Sequence, residues 1–393
     1  MGLVELMGEC TSMRMLVLGA GLQGSACAYD LLQNPDVKEV RLADLKVDHL
    51  PAFLAPYSGK RLLPTRLDVR DADAVRAVMR ESDAVMSAIP YYFNLELATL
   101  AAEVGVHFCD LGGNTEIVFK QKTLDLEAKK KGITVIPDCG LAPGMVNILA
   151  EHAINQLDKV ETVRIFVGGL PQNPEPPLNY QIVYSLEGVL DYYTTLSWVL
   201  RDGKRTQVKA LSEVEQVTFD GTVGQLEGFH TAGGLSTMAF RYEGKIPTME
   251  YKTLRYPGHA AIMEAIRELG LLEMNPVDVK GVKVVPRDLV VAAMGPRLTK
   301  PNGKDLVALR VFAEGTKDGK RKRVGWEMVD FYDDKHEISA MERSTGYSLS
   351  ITGQMQARGE VGKAGVFTPD EAIPAEKYVS ELAKRGVEIK PLG

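Results

Sequence analysis

The sequence predicts an α/β fold in which a doubly wound, mostly parallel Rossmann sheet is joined to a second α+β domain with a mostly antiparallel sheet. Three observations predict it. A glycine-rich turn at residues 19–24 lies between a short apolar run and a helical pattern. Apolar runs then alternate with helical patterns as far as residue 142, as in parallel sheets. Long strand patterns with few helices follow over residues 143–344, as in antiparallel sheets.

The elements follow in chain order. Strand patterns of the first domain lie near residues 14–18, 37–43, 62–67, 83–88, 106–109 and 133–136. The patterns of the second domain predict a helix over 187–200, a polar glycine-rich loop over 227–234, and strands over 236–242, 249–255, 305–312 and 323–331. The pattern returns to helix near the end. We therefore expect a dinucleotide-binding domain over 13–142, completed by 345–393, around a substrate-binding and dimerisation domain over 143–344.

The composition excludes several classes of protein. The chain has 393 residues and a net charge of -6, so it lacks the basic excess of proteins that bind nucleic acids or anionic membranes. Its four cysteines (Cys10, Cys27, Cys109 and Cys139) form no C-x-x-C pair and predict no disulfide framework. The sequence contains no apolar run of membrane-spanning length and no pattern of a secretory signal. We expect a cytoplasmic protein.

Residues 14–44 carry the pattern of a dinucleotide-binding unit: an apolar run, G-A-G-L-Q-G, a helical pattern and a second apolar run that ends at Asp44. Gly19 permits the tight turn, Gly21 lets the backbone approach a pyrophosphate at the helix N-terminus, and Gly24 lets the helix pack on the strand. Asp44 would accept hydrogen bonds from the ribose hydroxyls, which predicts NAD rather than NADP. The alternative is a glycine turn without a ligand.

Small and polar residues follow the other predicted strands, at the sheet edge where ligands bind in doubly wound folds. Asp68 suits a contact with the adenine, although Asp68 or Asp71 could equally cap the next helix. Glycine turns that begin at Asp110 and Asp138 lie near the expected nicotinamide, unless they serve only as turns. The predicted cofactor-binding residues are Gly19, Gly21, Leu22, Gln23, Gly24, Asp44, Asp68, Val69, Ala88, Ile89, Pro90 and Cys139.

Two segments of the second domain carry candidate substrate residues. The loop over 227–234 contains His230, and the strand that ends at Arg255 is followed closely by His259. A buried structural histidine would explain either one alone. The six histidines have no H-x-x-x-H or H-E-x-x-H spacing, so we expect no metal. Because no nucleophile or phosphate-loop motif occurs either, the chemistry most available is hydride transfer with a nicotinamide.

Long stretches in both halves resemble the saccharopine dehydrogenase family. They include D-L-G-G-N at 110–114, P-D-C-G-L-A-P-G-M at 137–145, the stretch 175–193, E-G-F-H-T-A-G-G-L-S-T-M at 227–238, 250–260 and 341–359. The resemblance implies a Rossmann domain completed by the C-terminus and an inserted domain that binds substrate and dimerises. Ala142 stands where saccharopine-forming members carry an acid. This favours the lysine-type branch, in which NAD oxidatively deaminates the ε-amino group of L-lysine.

The resemblance also implies roles for individual residues. Arg255 matches the arginine of the family's L-R-Y-x-G motif and would bind the substrate carboxylate, since its planar fork suits bidentate pairing. An acid such as Glu187 or Glu227 would pair with the α-ammonium group, and Tyr184 is a further substrate-binding candidate. Candidates for the general acid or base are His230, His259, Asp110 and Glu187, which the sequence does not rank. The expected partners are an amino-acid substrate and a second copy of the chain, in a homodimer or larger homo-oligomer.

Two alternatives stay open. One is a reductase of the same family that joins an amine to an aldehyde, as in saccharopine or a carboxylated polyamine. Such an enzyme would need a second anion site, and Ala142 argues against it. The other is a regulatory protein that binds NAD without turnover, which would have no need of Arg255, His230 and His259.

Overall fold

The computed structural model describes residues 12–392, and its first sheet has the predicted Rossmann architecture. Six strands alternate with helices and lie parallel in the order β6-β5-β4-β1-β2-β3. In chain order the elements are β1 (Met13–Leu18), α1 (Leu22–Gln33), β2 (Val37–Asp44), a 3-10 helix (Ala52–Tyr57), β3 (Leu62–Arg66), α2 (Ala72–Arg80), β4 (Ala84–Ser87), a 3-10 helix (Tyr91–Phe93), α3 (Asn94–Val104), β5 (His107–Asp110), α4 (Thr115–Lys122), α5 (Asp125–Lys131) and β6 (Thr134–Ile136).

This strand order creates a crevice at the edge of the sheet. The chain runs outward from β1 to β2 and β3 and then returns to β4 on the other side of β1. The loops after β1 and β4 therefore diverge to opposite faces, and ligands of doubly wound sheets bind where they separate.

The residue that caps α2 is also clear in the structure, because the side chain of Asp71 accepts a hydrogen bond from Ala74 N at 3.1 Å. Asp71, not Asp68, caps this helix.

The second sheet is mostly antiparallel, as predicted. Its strands lie in the order β10-β11-β12-β7-β15-β16, β8 pairs with both β12 and β9, and β12 and β7 are parallel. The elements are α6 (Met145–Ile154), β7 (Lys159–Pro171), α7 (Leu186–Thr194), β8 (Ser197–Arg201), β9 (Lys204–Val208), β10 (Glu215–Phe219), β11 (Gly224–His230), α8 (Met238–Arg241), β12 (Thr248–Arg255), α9 (His259–Glu268), the hairpin β13 (Val277–Val279) and β14 (Val282–Val284), α10 (Pro286–Leu298), β15 (Asp305–Lys317) and β16 (Lys320–Phe331).

Three local predictions in this domain were wrong. The helix predicted over 187–200 ends at Thr194, and the residues that follow form β8 because they pair with β9 and β12. Residues 238–241 form a short helix rather than a strand, and it buries Met238 and Ala239. The predicted loop begins within β11, because Gly228 provides a close approach rather than a turn: a Cβ there would lie 3.2 Å from the ring of Phe166.

The C-terminal segment joins both sheets. It comprises α11 (Ala340–Ala357), β17 (Gly365–Val366), α12 (Pro369–Ala372), α13 (Ala375–Lys384) and β18 (Lys390–Pro391). A capping box between Ser339 and Glu342 starts α11, which packs against α1 so closely that a Cβ on Gly346 would lie 2.7 Å from the carbonyl oxygen of Gln23. Strand β17 extends the first sheet beyond β6 to seven strands, and β18 pairs with β16.

Within residues 12–392, none of the helices combines the length and the apolar character that crossing a membrane requires.

Candidate functional site

In the glycine turn after β1, Gly19 and Gly24 are closely packed, whereas Gly21 borders open space. Gly19 has a φ of +101°, and a Cβ there would lie 2.7 Å from the carbonyl oxygen of Ala88. A Cβ on Gly24 would lie 1.8 Å from the carbonyl oxygen of Gly19. A Cβ on Gly21, in contrast, would meet nothing within 4 Å. Packing therefore requires two of the glycines, whereas the third borders open space beside the helix.

The N-terminus of α1 has the free groups that a pyrophosphate would use. Gly21 is the N-cap and offers no side chain to the first amides of the helix. Leu22 is 54% exposed, and in the described part of the chain the buried Oε1 atom of Gln23 has no hydrogen-bond partner. Unsatisfied amides at the positive end of a helix bind anions. These groups therefore fit a dinucleotide, whose nicotinamide would accept a hydride.

Asp44 is fixed beside this turn. Its Oδ2 atom accepts a hydrogen bond from Ala20 N at 2.8 Å, and its Oδ1 atom accepts one from Lys46 N at 3.0 Å. The side chain of Arg41, which could have attracted a 2′-phosphate, instead pairs with Glu81 at 2.7 Å. The carboxylate is thus held at the end of β2, where the predicted contact with the ribose hydroxyls requires it.

The remaining cofactor candidates fit their predicted roles unequally. Ala88 N bonds to the carbonyl oxygen of Leu18 at 2.8 Å, so the turn at 88–90 lies next to the glycine turn. Asp68, with Val69 after it, follows the end of β3, but its carboxylate pairs with Arg70 at 2.6 Å, and these hydrogen bonds lower its pKa to about 2. The thiol of Cys139 is buried and donates to the carbonyl oxygen of Ile136 at 3.0 Å. Its side chain points into the core, which contradicts a role for this side chain at the cofactor.

Two buried carboxylates at this edge have very different surroundings. Asp110 accepts hydrogen bonds from Gly112 N and from Gln121 Nε2, each at 2.7 Å, so both of its oxygens are occupied. Asp138 accepts a hydrogen bond from the hydroxyl of Ser236 on Oδ2, whereas its Oδ1 has no partner among the described residues. Burial raises the pKa of Asp110 to about 6 and that of Asp138 to about 7. Asp110 therefore has a structural role, whereas Oδ1 of Asp138 could still accept a hydrogen bond or a proton from a ligand.

Arg255 is a buried cation that forms no ion pair with any acidic side chain of residues 12–392. Its side chain is on the last residue of β12, is 2% exposed and lies over the ring of Tyr180 at 4.9 Å. One hydrogen bond, from Nη1 to the carbonyl oxygen of Leu254, is 2.8 Å long, and Nε has no partner in the described chain. Tyr184 and Tyr193 also lie close enough to interact with the guanidinium. Because burying an unpaired charge is costly, this arrangement favours a site for an anionic group of a ligand.

His259 lies next to Arg255, but its imidazole is poorly suited to be a base. Its Nδ1 donates to the carbonyl oxygen of Leu178 at 3.0 Å, so Nε2 accepts from the hydroxyl of Tyr193 at 2.9 Å. Burial, assisted by the charge of Arg255, lowers the pKa of His259 to about 3. The ring also stacks on Phe229 with an interplanar angle of 6°. These contacts hold Tyr193 in place, so we assign His259 a positioning role.

His230 lies on the other face of the second sheet. Adjacent residues of a strand point to opposite faces, and Phe229 packs toward His259. Nε2 of His230 lies 3.1 Å from Glu213 and 3.9 Å from Glu250. These three residues could offer ligands to a metal, but Arg201 already bridges the two carboxylates at 2.8 and 2.7 Å. The prediction that His230 shares a site with His259 and Arg255 is therefore wrong.

The two predicted glutamates serve the structure. Glu227 accepts hydrogen bonds from Gly258 N at 3.0 Å and Ala260 N at 2.6 Å, and so caps the start of α9. Its carboxylate is thus already occupied, which contradicts its assignment to the α-ammonium group. Glu187 is exposed in the first turn of α7, outside the buried cluster around Arg255. Neither residue is placed as predicted.

From the sequence, Asp138 was identified only as the start of a glycine turn at a strand end, and it was not among the predicted site residues. The missing signal is partly tertiary, since Ser236 comes from the second domain and lies 98 positions along the chain. The sequence also predicted no role for the tyrosines near Arg255, except for Tyr184. A visible signal was their density: Tyr180, Tyr184, Tyr192 and Tyr193 occur within one short stretch.

Comparisons with known families match almost all of the described chain. The Saccharopine dehydrogenase NADP binding domain matches residues 15–136, and the Saccharopine dehydrogenase C-terminal domain matches residues 140–387. The second match alone spans more than half of the chain. The two matches are separated by residues 137–139 in the turn after β6, and this gap contains Asp138.

Individual relatives are distant. A saccharopine dehydrogenase (NADP⁺, L-glutamate-forming) of Saccharomyces cerevisiae is 24% identical over 311 residues, which is 75% of this chain and 66% of that protein. A mitochondrial alpha-aminoadipic semialdehyde synthase of Mus musculus is 26% identical over 282 residues, which is 68% of this chain. The match spans only 29% of the mouse protein.

Two solved structures share the fold. An apo saccharopine dehydrogenase (L-Glu forming) from S. cerevisiae superposes with a TM-score of 0.79 at 21% identity, covering 97% of this chain and 99% of that one. A homospermidine synthase of Legionella pneumophila in complex with NAD superposes with a TM-score of 0.69 at 12% identity, covering 97% and 91%. The two domain matches, of which the second spans more than half of the chain, show that the chain belongs to the saccharopine dehydrogenase family.

Proposed function

We propose that this protein is an NAD-dependent dehydrogenase that removes the ε-amino group of L-lysine as ammonia and forms 2-aminoadipate 6-semialdehyde. The semialdehyde then cyclises to a piperideine carboxylate. The single observation that carries the proposal is the buried guanidinium of Arg255, whose Nε has no hydrogen-bond partner among the described residues, in a domain that faces a dinucleotide cradle. A substrate carboxylate would pair with the guanidinium fork and relieve the cost of the buried charge.

The surroundings of Arg255 favour a substrate that reacts far from its carboxylate. Tyr193 interacts with Arg255, and Tyr251 interacts with both of them. Tyr192, which interacts with Tyr251, also interacts with Asp138 at the edge of the parallel sheet. Tyr193, Tyr251 and Tyr192 therefore form a series of interacting phenol groups that leads from Arg255 to Asp138. A long amino acid held at Arg255 would reach the edge with its terminal amine rather than with its α-carbon.

The chain's own residues would prepare the amine for oxidation. The amine of lysine has a pKa of about 10.4 in water, and an ammonium has no lone pair to support loss of a hydride. A site that removes one proton is therefore needed. The buried tyrosines exclude water around the side chain, and this strengthens every charge interaction within the site. His259 would hold Tyr193 against the guanidinium that binds the carboxylate.

A second candidate is a family reaction that joins an amine to an aldehyde, because two of the proteins named above are saccharopine dehydrogenases. Such a substrate carries additional carboxylates and needs a second cation. We therefore favour lysine. The proposal also includes a small amino-acid substrate, a location in the cytoplasm and assembly into a homodimer or larger homo-oligomer.

One assay tests the proposal. The protein is incubated with NAD and, separately, with L-lysine, saccharopine, putrescine and 6-aminohexanoate, and the absorbance of the reduced cofactor is followed. We expect turnover with lysine, and weaker turnover with putrescine, which lacks the carboxylate that Arg255 would bind. Turnover of saccharopine at a higher kcat/KM than that of lysine would transfer the assignment to the second candidate. Turnover of none of the four would contradict both.

A further inference from the structure

We propose that Asp138 is the catalytic acid and base, which takes a proton from the substrate amine and later returns it to the departing nitrogen. The inference rests on the proposed function. It concerns a residue that lies in the turn immediately after β6, at the edge of the parallel sheet where ligands of doubly wound folds bind. The residue comes from the first domain, and its hydroxyl partner Ser236 comes from the second.

The backbone presents Asp138 in an unusual way. Its φ is +64°, a left-handed conformation that is uncommon outside glycine. Gly112 in the neighbouring turn makes room for it, since a Cβ on Gly112 would lie 1.7 Å from Asp138 Oδ1. Two separate backbone features therefore place this oxygen where it is. Such strained conformations cluster at functional sites.

The free oxygen distinguishes Asp138 from its neighbour Asp110. Both side chains are buried, but the two oxygens of Asp110 accept hydrogen bonds from Gly112 N and Gln121 Nε2. Asp138 Oδ1 has no hydrogen-bond partner within the part of the chain that the structure describes. Buried carboxylate oxygens are normally satisfied. An ammonium or amine of a substrate would supply the missing donor.

The charged and titratable groups around Asp138 set its proton affinity near neutrality. Burial raises the pKa of Asp138 to about 7, and the negative charges of Asp110 and Asp370 add to this increase. The hydrogen bond from Ser236 opposes this increase, as does the nearby backbone amide of Gly113. Asp370 itself pairs with Arg241 at 2.7 Å. From α7, the phenol of Tyr192 interacts electrostatically with the carboxylate, and Cys139 is adjacent in the chain.

The proton balance of the reaction closes with this one carboxylate. The ammonium N–H bond breaks with its electron pair left on nitrogen, and an O–H bond forms on Oδ1. The neutral amine then supports transfer of a hydride from the ε-carbon to NAD, the oxidant, and an iminium remains on the substrate. Water adds to the iminium carbon and releases one proton to solvent. The protonated Asp138 finally returns its proton to nitrogen, which restores the carboxylate. The C–N bond then breaks as the hydroxyl oxygen forms the carbonyl group, and the hydroxyl proton passes to the departing ammonia, so that aldehyde and ammonium leave.

The first test uses Asp138→Asn in the full-length protein. We expect kcat/KM for lysine to fall by about 10²–10⁴, while the Kd of NAD, measured by titration calorimetry, stays within about threefold. A variant that keeps a kcat/KM within threefold of the wild type would overturn the assignment. Wild-type turnover of lysine separates the two proposals: with it, failure here concerns Asp138 alone, and without it both are contradicted.

The second test does not depend on replacing the carboxylate. Ser236→Ala removes a donor to the ionised form, so the pKa of Asp138 should rise. The acid limb of the kcat/KM profile should therefore move to higher pH, whereas Ser212→Ala, whose hydroxyl bonds to the carbonyl oxygen of Lys209, should leave it in place. The ¹³C resonance of Asp138 in aspartate-labelled protein without cofactor should titrate with the same displacement. An unmoved limb with a displaced resonance would overturn the proposal, because it would show a carboxyl that titrates without serving the reaction.

Discussion

The hydroxyl of Tyr193 lies 2.9 Å from Nε2 of His259, and this contact fixes the chemistry of the histidine. Because the other ring nitrogen donates to the carbonyl oxygen of Leu178, Nε2 can only accept. The imidazole is therefore neutral and occupied on both sides. Tyr193 in turn interacts with Arg255, so the pair supports the cation rather than the reacting amine.

Arg255→Ala should weaken the binding of substrate more than that of cofactor. Loss of one partner from a buried, bidentate charge pair costs about 2–5 kcal/mol. We expect the KM for lysine to rise at least tens-fold and the Kd of NAD to stay nearly unchanged, as measured by initial rates and calorimetry. Arg255→Lys should recover only part of the loss, because an ammonium cannot reproduce the fork.

The matched control is Arg310→Ala, which removes an arginine of the same sheet that pairs with Glu327 at 2.5 Å. Its kinetics with lysine should equal those of the wild type. If Arg255→Ala also left the kinetics unaltered, Arg255 would have to be removed from the site.

His259 should make stability depend on pH in the acid range. Its pKa is about 6.5 when unfolded and is lowered to about 3 in the folded protein. Between pH 3 and pH 6.5 this histidine is protonated in the unfolded state but not in the folded state. The free energy of unfolding should therefore fall as the pH decreases. The limit for one proton is about 1.4 kcal/mol per pH unit. Urea denaturation of the wild type and His259→Gln between pH 4 and pH 7 should show a smaller slope in the variant.

Asp110 and Asp138 act in the opposite direction, because their raised pKa values favour protonation of the folded state as the pH falls. The difference between wild type and His259→Gln removes their contribution. The exposed His49 provides the control, since His49→Gln should leave the slope unchanged. Equal slopes for the wild type and His259→Gln would show that His259 is not held neutral.

His230→Gln should affect stability rather than turnover. The ring is fully buried and contacts Glu213 at 3.1 Å on the face of the sheet opposite to Arg255. Loss of buried hydrogen bonds should lower the free energy of unfolding by about 1–3 kcal/mol. We expect kcat with lysine to stay within about threefold at 25 °C. A loss of about 10² or more in kcat, without a change in the urea midpoint, would instead return His230 to the list of catalytic groups.

NAD should be preferred over NADP. Asp44 is held beside Gly21 by the amide of Ala20 and would repel a 2′-phosphate, while Arg41 is engaged with Glu81. The ratio of kcat/KM values for the two cofactors measures the preference, and Asp44→Ala should narrow it. Arg66 is the exposed residue opposite Asp44 on β3, so Arg66→Ala should weaken residual use of NADP without affecting NAD. Equal or better efficiency of the wild type with NADP would overturn the role of Asp44.

Much of the first domain could be predicted because its signals are local. The run that ends at Gly19 and the spacing to Asp44 depend on neighbouring residues, and the structure places both at the same sheet edge. The candidates for the catalytic acid and base could not be ranked, because their environments depend on residues that are distant in the sequence. The environment of Asp138 depends on Gly112 and Ser236, which are distant in the sequence. His230 points away from Arg255 because it lies on strand β11, and the glycines of that strand, Gly224 and Gly228, made it resemble a loop in the sequence.

The position of the transferred hydrogen tests the geometry between Arg255 and Asp138. A series of interacting tyrosines, Tyr193, Tyr251 and Tyr192, leads from the cation to Asp138, so the carbon that reacts should be the one farthest from the carboxylate. Lysine labelled with deuterium at the ε-carbon should pass the label to NADH, as measured by mass spectrometry of the reduced cofactor. Lysine labelled at the α-carbon should yield unlabelled NADH and serves as the control. The product should also form a coloured adduct with 2-aminobenzaldehyde, because oxidation at the ε-carbon gives the six-membered cyclic imine. Label transferred from the α-carbon would mean that Arg255 holds the substrate in the reverse orientation, and the assignment to ε-deamination would then be wrong whatever the family.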